Sequence, residues 1–206
     1  QDPRYVAFVA SLGSTKCRNR LLKFQRRALK KREKLVRFMD DPSYDILGKD
    51  QAIEFAILEM PFIFWQYEDA DLCSEIPGAD ASARQIYNFL DRVVFVNSFS
   101  DDALTYFEAY YYQSATELGG PAVGEAGLED LIRYPGQDGP VILPPLGVEK
   151  PFEPDVMPMI ERFVLEEAQR VLFIYGENDP WSTNAFAVSA SNDSYRLFVT
   201  GREGNH

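Results

Sequence analysis

The C-terminal segment, residues 171–206, constrains the fold of this chain more than any other part of it. An apolar run at 171–175 ends in a Gly-Glu-Asn-Asp turn at 176–179. An apolar run with such an ending is typical of a buried strand that carries a carboxylate at its C-terminal tip. A second apolar run at 195–200 and a short Gly-containing loop then lead to His206, the only histidine of the chain. This order predicts an α/β fold.

Asp179 and His206 are the candidate catalytic residues. An acid followed by a histidine on the last strands is the order found in α/β-hydrolases, whose triad runs Ser…Asp…His along the chain. In such a triad the carboxylate fixes the tautomer of the histidine and stabilises the imidazolium that forms. The local sequence also fits an Asx-type turn before Pro180, and Glu177 and Asn178 are rival acidic and orienting groups.

The nucleophile expected upstream of the acid is missing. No Gly-x-Ser-x-Gly motif occurs in the 206 residues, which begin with Gln1 and end on the candidate base. Two parallel strands are also too few for a doubly wound sheet. We therefore expect the C-terminal part of an α/β-hydrolase whose serine lies in a missing N-terminal half. Without that serine, the 206 residues alone are expected to be inactive.

Helices are predicted ahead of the strands. Apolar spacings and capping residues indicate helices over 19–39, 49–67 with a kink or break at Pro61, 80–92, 103–118 and 155–170. The Gly- and Pro-rich residues 121–152 predict an extended return with one helical turn near 128–134. Helices inserted before the last strands form the cap of many α/β-hydrolases. We therefore expect a mainly α-helical lid over 1–152 and a C-terminal core part over 153–206.

Charge and hydropathy exclude two classes of partner. The net charge is −11, yet residues 16–37 hold 11 of the 21 basic residues. The acidic remainder would repel phosphate, so we interpret the basic run as a solvated helix face and expect no nucleic acid. No apolar run reaches the ~18 residues that a membrane span needs.

The cysteines bear on compartment and metal binding. Cys17 and Cys73 are the only two, and neither belongs to a C-x-x-C or histidine-containing cluster. A metal site is therefore not expected, and no cofactor is indicated. An even count favours a disulfide, hence an oxidising, extracytoplasmic location, while two unrelated buried thiols remain the alternative.

Several short motifs, in order, give the chain a family resemblance. They are Gly-Ser-Thr-Lys-Cys-Arg at 13–18, Phe-Trp-Gln-Tyr at 64–67, Tyr-Tyr-Tyr-Gln at 110–113, Arg-Tyr-Pro-Gly at 133–136, Tyr-Gly-x-Asn-Asp-Pro-Trp-Ser at 175–182 and the closing Gly-Asn-His. In these motifs the chain resembles the secreted tripeptidyl aminopeptidases of actinobacterial type, which include prolyl tri/tetrapeptidyl aminopeptidases.

The resemblance implies a serine peptidase with an α/β-hydrolase core and a helical lid, acting on peptides with a free N-terminus. It makes Asp179 the triad acid and His206 the base. Both Cys17 and Cys73 fall where the family has cysteines, and their pairing would tie the first two lid helices together.

Residues of the predicted lid are candidates for substrate binding. An exopeptidase that counts from the N-terminus needs an anion for the substrate ammonium, and Glu54 and Glu59 lie within an apolar helix. A carboxylate in such a run implies a partner or a ligand, unless both face solvent. A proline ring stacks on aromatic faces, and the candidates for this contact are Trp65, Tyr111, Tyr112 and Trp181. Ordinary core packing is the alternative for each.

Two further function classes stay open on the sequence alone. The chain fits the lid and C-terminal part of another α/β-hydrolase, an esterase or an endo-acting peptidase. It also fits a non-catalytic binding module. The leading hypothesis is a secreted serine exopeptidase that releases tri- or tetrapeptides, including after proline.

Overall fold

The computed structural model describes residues 2–39, 42–136, 143, 151–201 and 204–206. Residues 137–142 and 144–150 of the extended return predicted over 121–152, and residues 202–203 of the loop before His206, lie outside these residues. The chain is rich in helices and ends in two strands.

The helices and strands follow one another as separate short elements, apart from two long helices. The α-helices are α1 Arg4–Val9, α2 Thr15–Lys30, α3 Arg32–Leu35, α4 Lys49–Tyr67, α5 Ala83–Val94, α6 Asp101–Tyr106, α7 Glu108–Gln113 and α8 Val156–Glu166. The strands are β1 Leu172–Gly176 and β2 Tyr195–Val199. Shorter helical turns cover Val36–Phe38, Ala70–Ser74, Val96–Phe99, Ser114–Leu118, Pro180–Asn184 and Ala190–Asn192.

The helix boundaries differ from the predicted ones for local reasons. The helix predicted over 19–39 breaks at Lys31, whose backbone leaves the helical region, and α4 continues through Pro61 as one helix. The third helix starts later than predicted because Ser82, not Asp80, caps it in a capping box with Gln85. The helical turn predicted near 128–134 is short: the backbone N–H groups of Leu131 and Ile132 both donate to the Leu128 carbonyl.

The core is built around α4. Its buried residues face in every direction, and α2, α3 and α5 pack against it. A helix that is apolar all round must be covered on all sides. The largest fully buried side chains include Phe24, Leu35, Ile53, Ile57, Met60, Phe64 and Leu90.

One carboxylate, that of Glu54, lies inside this core. Glu54 is only 1% exposed, and Oε2 pairs with the guanidinium of Arg32, which also donates to the Leu131 carbonyl. Oε1 accepts the backbone N–H groups of Arg133 and Tyr134, each at 2.8 Å. The pair therefore fixes α3, α4 and the segment 131–134 relative to one another.

The basic residues of α2 are partly used within the fold. Arg20 donates to the Ser74 carbonyl at 3.1 Å, Arg27 donates to the Pro77 carbonyl, and Lys31 at the end of α2 donates to the Ala81 carbonyl at 2.6 Å. These cations bind carbonyls of the loop that leads from α4 to α5. The predicted solvated basic face is therefore only partly solvated.

The disulfide that the resemblance implied is present. Cys17 in α2 and Cys73 in the turn after α4 are bonded, with 5.5 Å between their Cα atoms and 56 residues of sequence separation. On the chain-entropy model, closing a loop of this length stabilises the fold by about 4 kcal/mol. The bond ties α2 to the end of α4.

The two strands form a parallel pair whose faces remain largely uncovered. Leu172 is paired with Tyr195 and Gly176 with Val199. Ile174 is 64% exposed, and the side chains of β2 are exposed along its whole length. Parallel sheets normally have both faces covered.

Among the described residues, no helix is long and apolar enough to cross a membrane.

Replacing Glu54 with Gln should cost about 3–5 kcal/mol of unfolding free energy, because it leaves the buried Arg32 guanidinium without a counter-charge. Urea unfolding of the two proteins measures this difference. The matched control is Glu75→Gln, which breaks the exposed pair between Glu75 and Arg92 and should leave the midpoint almost unchanged. Equal midpoints for Glu54→Gln and the wild type would refute the structural role of the buried pair.

Candidate active site

The parallel pairing of β1 and β2 brings the candidate acid and base together. Asp179 follows the end of β1 by three residues, and its Oδ1 accepts the Trp181 backbone N–H at 3.0 Å. His206 follows β2 after a loop that contains Gly201 and Gly204. Since the carboxyl ends of parallel strands meet at one edge of a sheet, both side chains are delivered to the same place.

The pair has the geometry of an acid that orients a base. His206 Nδ1 lies 2.8 Å from Asp179 Oδ2. The side chain of Asp179 is 9% exposed, whereas that of His206 is 54% exposed. Because Nδ1 is bonded to Asp179, Nε2 on the other side of the ring is the nitrogen left for proton transfer. The Asx-type turn and the orienting role coexist, because each uses a different oxygen of Asp179.

The rival residues Glu177 and Asn178 hold the histidine loop through other contacts. The backbone N–H of Glu177 donates to the Val199 carbonyl at 2.9 Å, and that of Asn178 donates to the Gly204 carbonyl at 2.6 Å. The amide side chain of Asn178 donates to the Gly201 carbonyl at 3.0 Å. These bonds join the tip of β1 to the loop that carries the base.

A glycine at the end of β1 permits this close approach. At Gly176 a methyl group would lie 2.6 Å from the Asn205 carbonyl oxygen and 2.8 Å from the Gly204 carbonyl carbon. Neither is the end of a flexible side chain that can move aside. Only a residue without Cβ lets the loop pass directly against the strand.

The turn after the acid packs against the helices. Trp181 makes edge contacts with Phe62 of α4 and Tyr5 of α1, with ring centroids 5.2 Å and 5.8 Å apart. Asn184, at the end of the same turn, donates to the Tyr5 hydroxyl at 3.1 Å. The turn that follows Asp179 therefore packs on α1 and α4.

The C-terminal end of α4 contacts His206, the candidate base, directly. The His206 backbone N–H donates to the Gln66 carbonyl at 2.8 Å, and the Tyr67 and His206 rings meet edge to face with centroids 5.7 Å apart. Sequence reasoning missed both residues. The end of a helix does carry unpaired carbonyls, but nothing in the sequence says which loop supplies their donors.

The two glutamates proposed for the substrate ammonium lie in different surroundings. The carboxylate of Glu54 is engaged by Arg32 and by two backbone N–H groups in the core. Glu59 is half-buried and lines a cavity of about 300 Å³ between α1, α2, α4 and residues 121–126. Burial raises the pKa of Tyr111 to about 12, and the negative charge of Glu59 contributes to that rise.

The four aromatic candidates do not form a single box. Trp65 is buried and lines the cavity beside Glu59, whereas Trp181 lines a separate cavity of about 750 Å³ together with Tyr5 and Tyr110. Tyr111 and Tyr112 are half-buried on α7. Tyr111 packs against Tyr110, with ring centroids 5.4 Å apart.

Within residues 2–39, 42–136, 143, 151–201 and 204–206, no three His, Cys, Asp or Glu side chains are close enough to hold a metal ion.

An aspartate and a histidine joined at the tips of adjacent parallel strands have the arrangement that the acid and the base take in a hydrolase triad. Comparison with known proteins agrees with this class. The family model described as PS-10 peptidase S37 matches residues 1–206, so the chain belongs to this peptidase family.

The chain is similar to the prolyl tri/tetrapeptidyl aminopeptidase of Streptomyces mobaraensis. It is 33% identical over 216 residues, an alignment that includes 100% of this chain and 45% of that protein. The chain therefore spans about half the length of this relative. No solved structure shows significant similarity to the chain.

Gly176→Ala should destabilise the protein by about 1–3 kcal/mol, because the added methyl group would overlap backbone atoms of the histidine loop. Gly78→Ala is the control, since a methyl group there would meet nothing within 4 Å. Denaturant unfolding of the two variants measures the difference. A Gly176→Ala protein as stable as Gly78→Ala would show that the close contact is not required.

Proposed function

We propose that this chain supplies the acid and the base of a secreted serine exopeptidase that releases N-terminal tri- or tetrapeptides, including after proline. The observation that carries the proposal is the 2.8 Å contact between His206 Nδ1 and the buried carboxylate of Asp179. Membership of the peptidase family and the name of the Streptomyces relative support the reaction class. Our proposal for the location rests on the disulfide, which favours an oxidising compartment.

The proposed reaction is acyl transfer through a serine outside this chain. His206 Nε2 takes the serine proton as Oγ attacks the scissile carbonyl, and then gives that proton to the leaving amine. Asp179 keeps the ring in the required tautomer and stabilises the imidazolium between these steps. A water molecule activated by the same histidine then hydrolyses the acyl-enzyme. Without the serine and its oxyanion hole, the 206 residues alone should not catalyse the covalent step.

The uncovered strand faces support a larger hydrolase core. Exposed apolar side chains on the strands and on α8 include Met159, Phe163, Leu172, Ile174 and Leu197. We propose that an N-terminal half of the protein covers them with further strands and helices, which agrees with the greater length of the relative. In this arrangement residues 1–152 form the lid and residues 153–206 complete the core.

Glu59 is our candidate for the substrate ammonium because it lines a cavity. Glu54 is set aside because it is buried in the core and does not line that cavity. Glu59 and Gln66, whose carbonyl binds the base, are seven residues apart on α4. At 1.5 Å per residue this separation is about 10 Å. An extended tripeptide spans about the same distance. A peptide whose amine is held at Glu59 would therefore present its third peptide bond near His206.

The aromatic residues are assigned separate parts of the substrate path. The cavity beside Glu59, with Trp65 on its wall, would receive the first residue of the peptide. Trp181, next to the acid, is placed to contact the residue before the scissile bond, where a proline ring would stack on it. Tyr111 and Tyr112 on α7 would border the path between these ends.

Asp179→Asn in the full-length protein should lower kcat by roughly 10⁴ while the fold and substrate binding are kept, because the imidazole would be held in the wrong tautomer. His206→Ala should be at least as severe. Steady-state kinetics on a free-amine tripeptide p-nitroanilide measure both effects. Glu177→Gln, which alters the rival acid, serves as the control and should leave kcat unchanged. A near-normal kcat for Asp179→Asn would mean that this carboxylate is only a turn residue.

Glu59→Gln should raise KM for free-amine tripeptides about tenfold or more, because it removes a charge-assisted bond worth about 1.5–3 kcal/mol. kcat should change little. The internal control is the same peptide with an acetylated N-terminus, for which the wild type and the variant should not differ. Equal KM values on the free-amine peptide would remove Glu59 from the substrate site.

A further inference from the structure

The contacts at the end of α4 point to a function for this helix beyond packing. We propose that the C-terminal end of α4 is a second support of the catalytic base, with Tyr67 as a positioning residue for His206. The inference rests on the proposed function, because it takes His206 as the base. It concerns residues that contact His206 on sides other than the one held by Asp179.

The first support is the backbone hydrogen bond between the His206 N–H and the Gln66 carbonyl. The last intrahelical bond at this end runs from the Glu68 N–H to the Phe64 carbonyl, so the carbonyls after Phe64 have no partner within the helix. The Gln66 carbonyl instead accepts the His206 N–H at 2.8 Å. This bond fixes the backbone of the base against the helix. It also places the partial negative charge of the helix end beside the imidazolium that forms during the reaction.

The second support is the ring of Tyr67. Its plane stands at 88° to the plane of His206, with centroids 5.7 Å apart. Tyr67 is 54% exposed, so its ring contributes little to the core and its contact with His206 is made near the surface. Asp179 holds Nδ1. Held by a carboxylate and an aromatic ring, the imidazole has few orientations left, and a precise orientation of Nε2 is what proton transfer requires.

The same helix carries the proposed ammonium site. Glu59 lies two turns before Gln66 on α4, and Phe62 between them packs against Trp181, two residues after the acid. A shift of α4 would therefore move the substrate anchor and the base together. The geometry of proton transfer at His206 therefore depends on the position of α4.

The test compares Tyr67→Leu, Tyr67→Phe and the wild type in the full-length enzyme. The substrates are a free-amine tripeptide p-nitroanilide and p-nitrophenyl acetate, an ester too small to reach from His206 to Glu59. Tyr67→Leu should lower kcat about tenfold on both substrates, with KM for the peptide within twofold of the wild type. Tyr67→Phe keeps the ring and should stay within twofold on both. Tyr106→Leu, which removes a still more exposed tyrosine on α6, should change neither.

Each other outcome has a defined meaning. An unchanged kcat for Tyr67→Leu on both substrates overturns the proposal, and so does a change confined to the peptide KM, which would make Tyr67 a substrate contact. Thermal melts show whether Tyr67→Leu is folded, and a loss of kcat accompanied by unfolding in both Tyr67 variants also counts against it. A wild type that hydrolyses the ester but not the peptide would refute the exopeptidase function alone, and the ester arm would still test Tyr67. A wild type that is inactive on both would overturn both proposals.

Discussion

The buried pair of Glu54 and Arg32 is the interaction on which the arrangement of the helices depends. A carboxylate inside an apolar helix is tolerated only when every acceptor position is used. Glu54 meets this condition with one guanidinium and two backbone N–H groups, which come from α3 and from residues 133–134. The orientation of α4 about its own axis is therefore set by a charge, whereas apolar burial alone would allow several orientations of a helix that is apolar all round.

This fixed orientation reaches the active site through the far end of the same helix. Once Glu54 faces Arg32, Phe62 faces the turn after the acid and the carbonyl of Gln66 faces the base. The helix is 19 residues long, about 28 Å, so it extends from the centre of the helical part to the strand tips. The disulfide between Cys17 and Cys73 closes the chain shortly after this end. The helix that organises the core, α4, therefore also contacts the candidate active site.

The two candidate catalytic residues could be predicted from the sequence because each lies shortly after the end of a strand. Asp179 and His206 could be paired because both follow apolar runs of a parallel sheet, and the structure brings them into contact. The long helix at 49–67 was predicted closely because its apolar content is a local signal. By contrast, the engagement of Glu54 depends on a distant segment, because its backbone donors Arg133 and Tyr134 lie 79 and 80 residues further along the chain. Tyr67 was missed for the same reason, since its partner lies 139 positions further along the chain.

The two parts of the chain differ in how far each can stabilise itself. The helical part buries its own apolar residues around α4 and is cross-linked by a disulfide. The strand pair has a complete ladder of hydrogen bonds from Leu172 to Gly176, yet its apolar side chains are largely exposed. Two strands with open faces are marginally stable in water. The Asp179–His206 geometry must therefore be maintained by contacts outside the ladder. Within the described residues, Asn178 supplies some of those contacts through its bonds to Gly201 and Gly204. The others come from the helical part, through Tyr5, Phe62, Gln66 and Tyr67. The helices thus contribute to holding Asp179 and His206 in contact.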